Sequence, residues 1–313
     1  MKIDLNSKMQ WHWFSVITTV VIAELFTLWG IYEIGQYGIF IFFLVPFFIG
    51  FASPIIYCYK HQITFKEARN IGFLSLAFYS LALLIFAIEG LICIMMAFPL
   101  GILFTWVGSI FGHMFINNQK PSAPSALLIL IIAFPAFSFL EKDSTPELTS
   151  VVTSIEIKAS PETVWKNVIE FPTLKKPTEL IFKTGIAYPI DAKIDGKGVG
   201  AIRHCNFTTG SFVEPITIWN EPHLLKFSVE EQPAPLKELS FWDIDAPHLH
   251  DYFVSKQGQF KLTKLPNGNT LLEGTTWYYH DIKPSFYWSI WSNYIVHKIH
   301  NRVLEHIKIN SEK

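Results

Sequence analysis

The chain has 313 residues, half of them hydrophobic and 16% aromatic, and only 16% are charged, against about 25% in an average soluble domain. Eleven charged residues fall in 1–140 and forty in 141–313, about 8% against about 23%, which excludes both a single soluble globule and a chain that is all membrane. A net charge of −1 argues for no nucleic-acid partner, and three scattered cysteines (Cys58, Cys93, Cys205) supply neither a disulfide framework nor a thiolate zinc site.

Crossing a bilayer takes roughly 20 apolar helical residues, because unpaired backbone groups are costly in hydrocarbon. Five stretches predict such helices: 11–31, 37–57, 71–88, 91–115 and the short 125–140. Glu89-Gly90 is the only break between the third and fourth, which makes them a tight hairpin. Trp11, Trp13, Trp29, Tyr32, Tyr57 and Tyr59 lie near span ends, where amphipathic rings favour the interface. The first span is too long for a cleavable signal and reads as a signal anchor. With five spans, Lys2, Lys8, Lys60, Lys66, Arg69 and Lys120 share one side, and the opposite loops carry Glu33 and Glu89 but no Lys or Arg. Positive charge marks the cytoplasmic side, so the expected location is a bacterial inner membrane with the C-terminal domain on the periplasmic side. An even number of spans inverts that assignment. Glu24 lies within a span, where a carboxylate is either a functional group or a protonated or helix-bonded one. No pattern of buried charges or inverted repeats suggests a transporter.

The polar, proline-containing segment 141–149 is the expected linker, and 150–313 the expected second domain. Val151 to Lys158 alternates like a strand. Ser160-Pro161-Glu162 then opens a helix, with the hydroxyl as N-cap, proline in the first turn and a carboxylate at the positive helix end. Further strands are predicted at 192–194, 199–208, 212–219, 224–230, 252–265 and 270–281, with a hairpin turn at Pro266-Asn-Gly268 and a long loop over 231–250. A final helix of about 284–309 places Trp288, Trp291, Ile295, Ile299, Val303 and Ile307 on one face, which needs a sheet to cover. The expected fold class is a multi-pass α-helical membrane domain plus an α+β domain in which a curved antiparallel sheet wraps a long C-terminal helix.

Three segments carry a resemblance: 152–165 (Val-Thr-Ser-Ile-Glu-Ile-Lys-Ala-Ser-Pro-Glu-Thr-Val-Trp), the turn Trp219-Asn-Glu-Pro222 followed by Leu224-Leu-Lys-Phe227, and Asn267-Gly-Asn-Thr-Leu-Leu272. Over about 150–310 the chain resembles the helix-grip domains of the START-like or SRPBCC superfamily (polyketide cyclase/dehydrase and lipid transport). Phe212 to Trp219 and Gly274 to Tyr278 look like a bacterial membrane-attached subfamily of uncharacterised role. The resemblance implies an apolar or lipid-like ligand held between sheet and helix.

Eight of the eleven histidines fall in 204–306. His248-Leu-His250, beside Asp245 and Asp251, has the donors for zinc but no third ligand at a telling spacing, so no metal is expected. His297 and His300 are helical neighbours flanking the apolar stripe, suited to the mouth of a cavity or to bonding with the sheet. Strand alternation puts Trp277 and Tyr279 on one face and Tyr278 and His280 on the other, one pair facing the helix. Arg203 and Glu214, on adjacent strands, form a cross-strand ion pair or anchor a ligand's polar end. The candidate ligand-binding residues are therefore Arg203, Glu214, Trp277, Tyr279, His280, Trp291 and His297. With no nucleophile elbow, phosphate loop or dinucleotide fingerprint, no cofactor is expected. The leading functional expectation is a membrane-tethered domain binding an apolar small molecule. The alternatives are a cyclase- or hydrolase-type enzyme using His204, Glu214 or His280 as its acid–base group, and a structural or regulatory membrane protein with a filled core.

Overall fold

The computed structural model describes residues 8–34, 37–59, 61–118, 146–239, 242, 244 and 246–313. They divide into two compact units. One takes in the chain up to Asn118 together with Glu238–Pro247 and Ile282–Pro284; the other takes in the remainder, from residue 146 onward.

The first unit is built on four helices: α1 (Lys8–Trp29), α2 (Val45–Cys58), α3 (Phe65–Ile85) and α4 (Leu91–Asn118). Single π-helical turns follow α1 at Gly30–Ile34 and precede α2 at Phe40–Leu44. Four stretches, Lys8–Tyr32, Phe40–Cys58, Phe65–Ile85 and Leu91–Asn117, are long and apolar enough to cross a bilayer. The fifth predicted span, 125–140, and most of the predicted linker 141–149 lie outside the described residues. The third helix starts six residues earlier than hydropathy predicts. Thr64 and Glu67 form a reciprocal capping box that satisfies amides of the first turn, so the polar Lys66, Arg69 and Asn70 are helical.

In this unit α2 packs against α1, α3 and α4. Close approach rests on glycine. A side-chain carbon on Gly50 would lie 2.0 Å from the Thr105 carbonyl oxygen, and one on Gly108 would lie 2.2 Å from that of Phe47. Buried hydroxyls then bond across the helices to backbone oxygens, Ser15 to Ser53 at 2.6 Å and Thr105 to Pro46 at 3.1 Å. Small residues let helix backbones approach closely, and hydroxyls can then bond across the interface. Trp11, expected at an interface, turns inward and donates its indole N–H to the carbonyls of Ile56 and Tyr57, while Trp13, Tyr32 and Tyr59 stay exposed.

The second unit is a seven-stranded antiparallel sheet of order β1-β7-β6-β5-β4-β3-β2, with two helices. Its strands are β1 (Thr149–Ile157), β2 (Pro189–Asp195), β3 (Ile202–Phe207), β4 (Gly210–Asn220), β5 (Leu224–Ser228), β6 (Phe253–Lys264) and β7 (Thr270–His280). The helices are α5 (Pro161–Ile169) and α6 (Ser285–Ser311), with a 3-10 turn at Leu180–Thr184. Ser160 stands at the N-cap position of α5 in extended conformation, but its side chain makes no capping bond. Gly268 turns β6 into β7 with φ +84°, a conformation that strains any residue with a side chain.

The long helix α6 packs on β1 and β7 at one edge of the sheet and on β2 at the other. Seven strands about 4.8 Å apart span nearly 30 Å when flat, so touching both edges requires the sheet to curl round the helix. Bulges in β2, β4 and β6 supply local bends. This is a helix-grip arrangement. Its main core joins Trp165 and Val168 of α5, Ile216, Leu225, Leu262 and Leu272 of the sheet, and Val303, Leu304 and Ile307 of α6. A smaller cluster of Val151, Tyr278 and Val296, with Phe253 packed against it, is separate from that core.

The predicted loop 231–250 is divided. Its first part is pinned within the helix-grip unit by bonds such as Thr209 to the Ala234 carbonyl (2.7 Å) and the Lys237 amide to Gly185 (2.9 Å). Glu238–Pro247 belongs to the helical unit, where the Leu91 amide bonds the Leu239 carbonyl at 3.3 Å and the Trp242 indole donates to Ile85 at 3.0 Å.

Candidate functional site

A cavity of about 120 Å³ lies between the sheet and α6. Five phenylalanines line it: Phe207, Phe212, Phe227, Phe253 and Phe260. Helix α6 adds Val296, Ile299, His300, Val303 and Leu304. These recur at i, i+3, i+4, i+7 and i+8, which is one face of a helix. The expectation that His300 flanks the apolar stripe is therefore corrected: His300 lies within it. His297 is on the exposed side of the helix.

The charged wall of the cavity is Arg203 and Glu214, opposite each other on β3 and β4. The residues are only 2% and 6% exposed, and an Arg203 Nη1–H donates to Glu214 Oε2. A second guanidinium N–H, on Nε, donates to the Ile169 carbonyl at 3.2 Å. The rings of Phe171, Phe227 and Phe260 stand 5.4–5.6 Å from the guanidinium carbon, within cation–π range. Burial pushes the Glu214 carboxyl above its ordinary range, and Arg203 opposes that rise. Among the cavity-lining residues Glu214 is the one carboxylate. An arginine does not lose its proton in a protein, so the pair is a closed ionic couple. Cys205 beside it is no nucleophile, because burial drives its thiol up to about 12.

Across the cavity, His300 is held from both ring nitrogens, Nε2 at 2.7 Å from Thr276 Oγ1 and Nδ1 at 3.0 Å from Thr153 Oγ1. Thr153 also meets His297 Nδ1 at 2.8 Å. Burial, and then the neighbouring His297, depress His300 to about 4, so its imidazole is neutral at physiological pH. A neutral ring donates from one nitrogen and accepts at the other, and a hydroxyl suits either role.

Of the residues singled out in the sequence, Arg203 and Glu214 line this cavity and the other five do not. On β7 the pair facing α6 is Tyr278, whose hydroxyl donates to Asn293 at 2.7 Å, and His280, which meets Ser289 Oγ at 2.8 Å. Trp277 and Tyr279 stand on the opposite face under Lys226 and Lys256, whose ammonium groups lie 4.9 and 5.3 Å from the ring centroids. Trp291 is half-buried on α6, and His204 stands 3.7 Å from the exposed Asp195. Sequence reasoning weighed His300 for a cavity mouth but chose His297 in its place, and it left out Thr276 and the phenylalanine lining. The i, i+4 spacing of Val296, His300 and Leu304 was the available signal.

The metal donors suggested by His248-Leu-His250 fall partly on Asp245, outside the described residues. A different set lies in the helical unit. One donor atom each from Glu89, Cys93 and Glu238 lies within 4.8 Å of the others, and the Cys93 thiol donates to Glu238 Oε1 at 2.8 Å. Glu89 and Cys93 stand four apart, but no sequence spacing links them to Glu238.

No protein-family model matches the chain, and no curated protein matches it. Among solved structures, a protein from Nitrosospira multiformis is 17% identical, covering 51% of this chain and 94% of its own, with a TM-score of 0.34. A norcoclaurine synthase point mutant from Thalictrum flavum is 13% identical, covering 54% and 97%, with a TM-score of 0.35. The Aha1 dimer from Colwellia psychrerythraea is 15% identical, covering 52% and 98%, with a TM-score of 0.30. Likenesses at this level say nothing of ligand or reaction.

Proposed function

We propose that this chain is a membrane-anchored binding protein whose helix-grip unit holds a small apolar molecule. The observation that carries the reading is the cavity itself, open space of about 120 Å³ walled by five phenylalanines and the aliphatic face of α6. A filled core at that place would have favoured a purely structural domain. The volume is below the range of about 300–1,000 Å³ typical of drug-sized ligands, and close to the roughly 150 Å³ apolar cavity that accepts benzene in an engineered protein. The ligand class is accordingly one ring or a short chain rather than a whole lipid. Four helices long enough to cross a bilayer support the anchor, and tethering raises the local concentration of membrane-dissolved molecules near the cavity. If 125–140 adds a fifth span in a bacterial inner membrane, the distribution of Lys and Arg supports a helix-grip unit on the periplasmic side; with the four described spans alone it would be cytoplasmic. A periplasm-active reporter fused after Lys313 checks this, and an inactive fusion reverses the sidedness.

The binding test uses fluorobenzene and the full chain in non-ionic detergent, read by 19F NMR against protein-free micelles. Wild-type protein is expected to show saturable binding that Ile299→Trp, which fills the cavity from α6, abolishes. Equal signals from wild type and Ile299→Trp would overturn the reading.

A further inference from the structure

We infer that the cavity selects electrically neutral ligands carrying a single hydroxyl or carbonyl, and excludes carboxylates such as fatty-acid anions, because its charges are already matched inside the wall. This rests on the binding reading above and narrows it.

The argument is charge by charge. Arg203 is the one guanidinium or ammonium among the cavity-lining residues, and Glu214 is the one carboxylate. They are hydrogen-bonded to each other, and Arg203 Nε is taken by the Ile169 carbonyl. A ligand carboxylate entering here would make a second anion beside a single cation, in a site where three phenylalanine rings replace water around the guanidinium. An ion taken out of water without its own partner carries a large desolvation penalty. His300 offers no compensating charge. Its two nitrogens are engaged by the Thr153 and Thr276 hydroxyls, a geometry that holds the ring in place on the opposite wall.

A neutral oxygen meets a different situation. Arg203 has five N–H groups, of which the bonds to Glu214 and Ile169 use two and the neighbouring Cys205 sulfur engages a third. Gln257, Gln259, Ser255 and Thr275 also stand along the cavity. A hydroxyl or carbonyl can therefore accept from the wall without disturbing the ion pair, while a ring or short chain occupies the phenylalanine-lined space. Specificity of this kind arises from an unfavourable term against the wrong ligand as much as from contacts with the right one.

The test compares 4-fluorobenzyl alcohol with 4-fluorobenzoate on the full chain in non-ionic detergent at neutral pH, by 19F NMR, with affinities referred to free aqueous ligand. The alcohol is expected to bind at least about 30-fold more tightly. In Glu214→Gln the guanidinium loses its counter-charge, and the preference is expected to invert toward benzoate. Where that variant is too unstable to purify, the wild-type ratio alone decides. Benzoate binding wild type as tightly as the alcohol would overturn the inference, even with fluorobenzene binding intact. Failure of fluorobenzene itself would instead overturn the binding reading beneath it.

Discussion

Both units of this protein bury polar groups, and those that find partners do so in different ways. In the helical unit, hydroxyls reach backbone carbonyls across helices, Thr105 to Pro46 where Gly50 and Gly108 bring α2 and α4 close, and Ser15 to Ser53 between α1 and α2. In the helix-grip unit, the buried polar groups include a charge pair and an imidazole that form the walls of a space. The first pattern brings backbones together, and the second lines a space between sheet and helix. The difference teaches how packing sets space: interfaces built on small residues leave backbone against backbone, whereas a curled sheet round one helix leaves a gap that side chains have to fill or to line.

The comparison breaks most readily at the ion pair. Glu214→Gln strands the buried Arg203 charge and is expected to cost about 3–5 kcal/mol of helix-grip stability, measured by urea unfolding of the full chain followed by tryptophan fluorescence. Arg203→Met combined with Glu214→Leu removes both charges and should lose much less. Equal losses would show that packing, not charge pairing, holds that wall.

His300 sharpens the contrast through pH. Its folded value of about 4 lies below the ordinary 6.5, so below neutral pH the unfolded chain binds the proton that the folded chain refuses. Its contribution to stability is intact above pH 6.5, falls as pH drops toward 4, and is flat below that. The span is about 3 kcal/mol. Subtracting the acid titration of His300→Leu from that of wild type isolates it, and a zero difference would place the imidazole in contact with water.

The helical unit gives the smallest effect. Gly108→Ala forces a methyl against the Phe47 carbonyl and should cost about 1–3 kcal/mol, seen in thermal unfolding in detergent. Gly101→Ala on the same helix meets only the Leu76 side chain, at 3.6 Å, and should be neutral or slightly stabilising. If both behave alike, close helix approach is not what holds this unit together.

Much of the architecture was legible from residue order. The long closing helix and the seven strands follow from hydrophobic period, and Pro266-Asn-Gly268 announced its hairpin. The start of α3 was missed because hydropathy ignores caps, although Thr64 and Glu67 stand at the spacing of a capping box. The candidate site was legible only in Arg203 and Glu214, whose partnership needed nothing more than two adjacent strands. Alternation along β7 yielded two pairs, Trp277 with Tyr279 and Tyr278 with His280, but not which pair meets the helix. That depends on the register of β7 against β1 and β6 and on the path of α6.

The sequence by itself determined that the chain has two chemically different parts, because about 8% charged residues against about 23% separates them by composition alone. It also determined the element order of the second part, since helix and strand periods are local properties. Only the tertiary structure decided that His300 rather than His297 faces the cavity, that Glu238 joins Glu89 and Cys93, and that the space under α6 is open. Each of these depends on the rotation of one element against a distant one, and such rotations are set by packing among residues that no spacing along the chain connects.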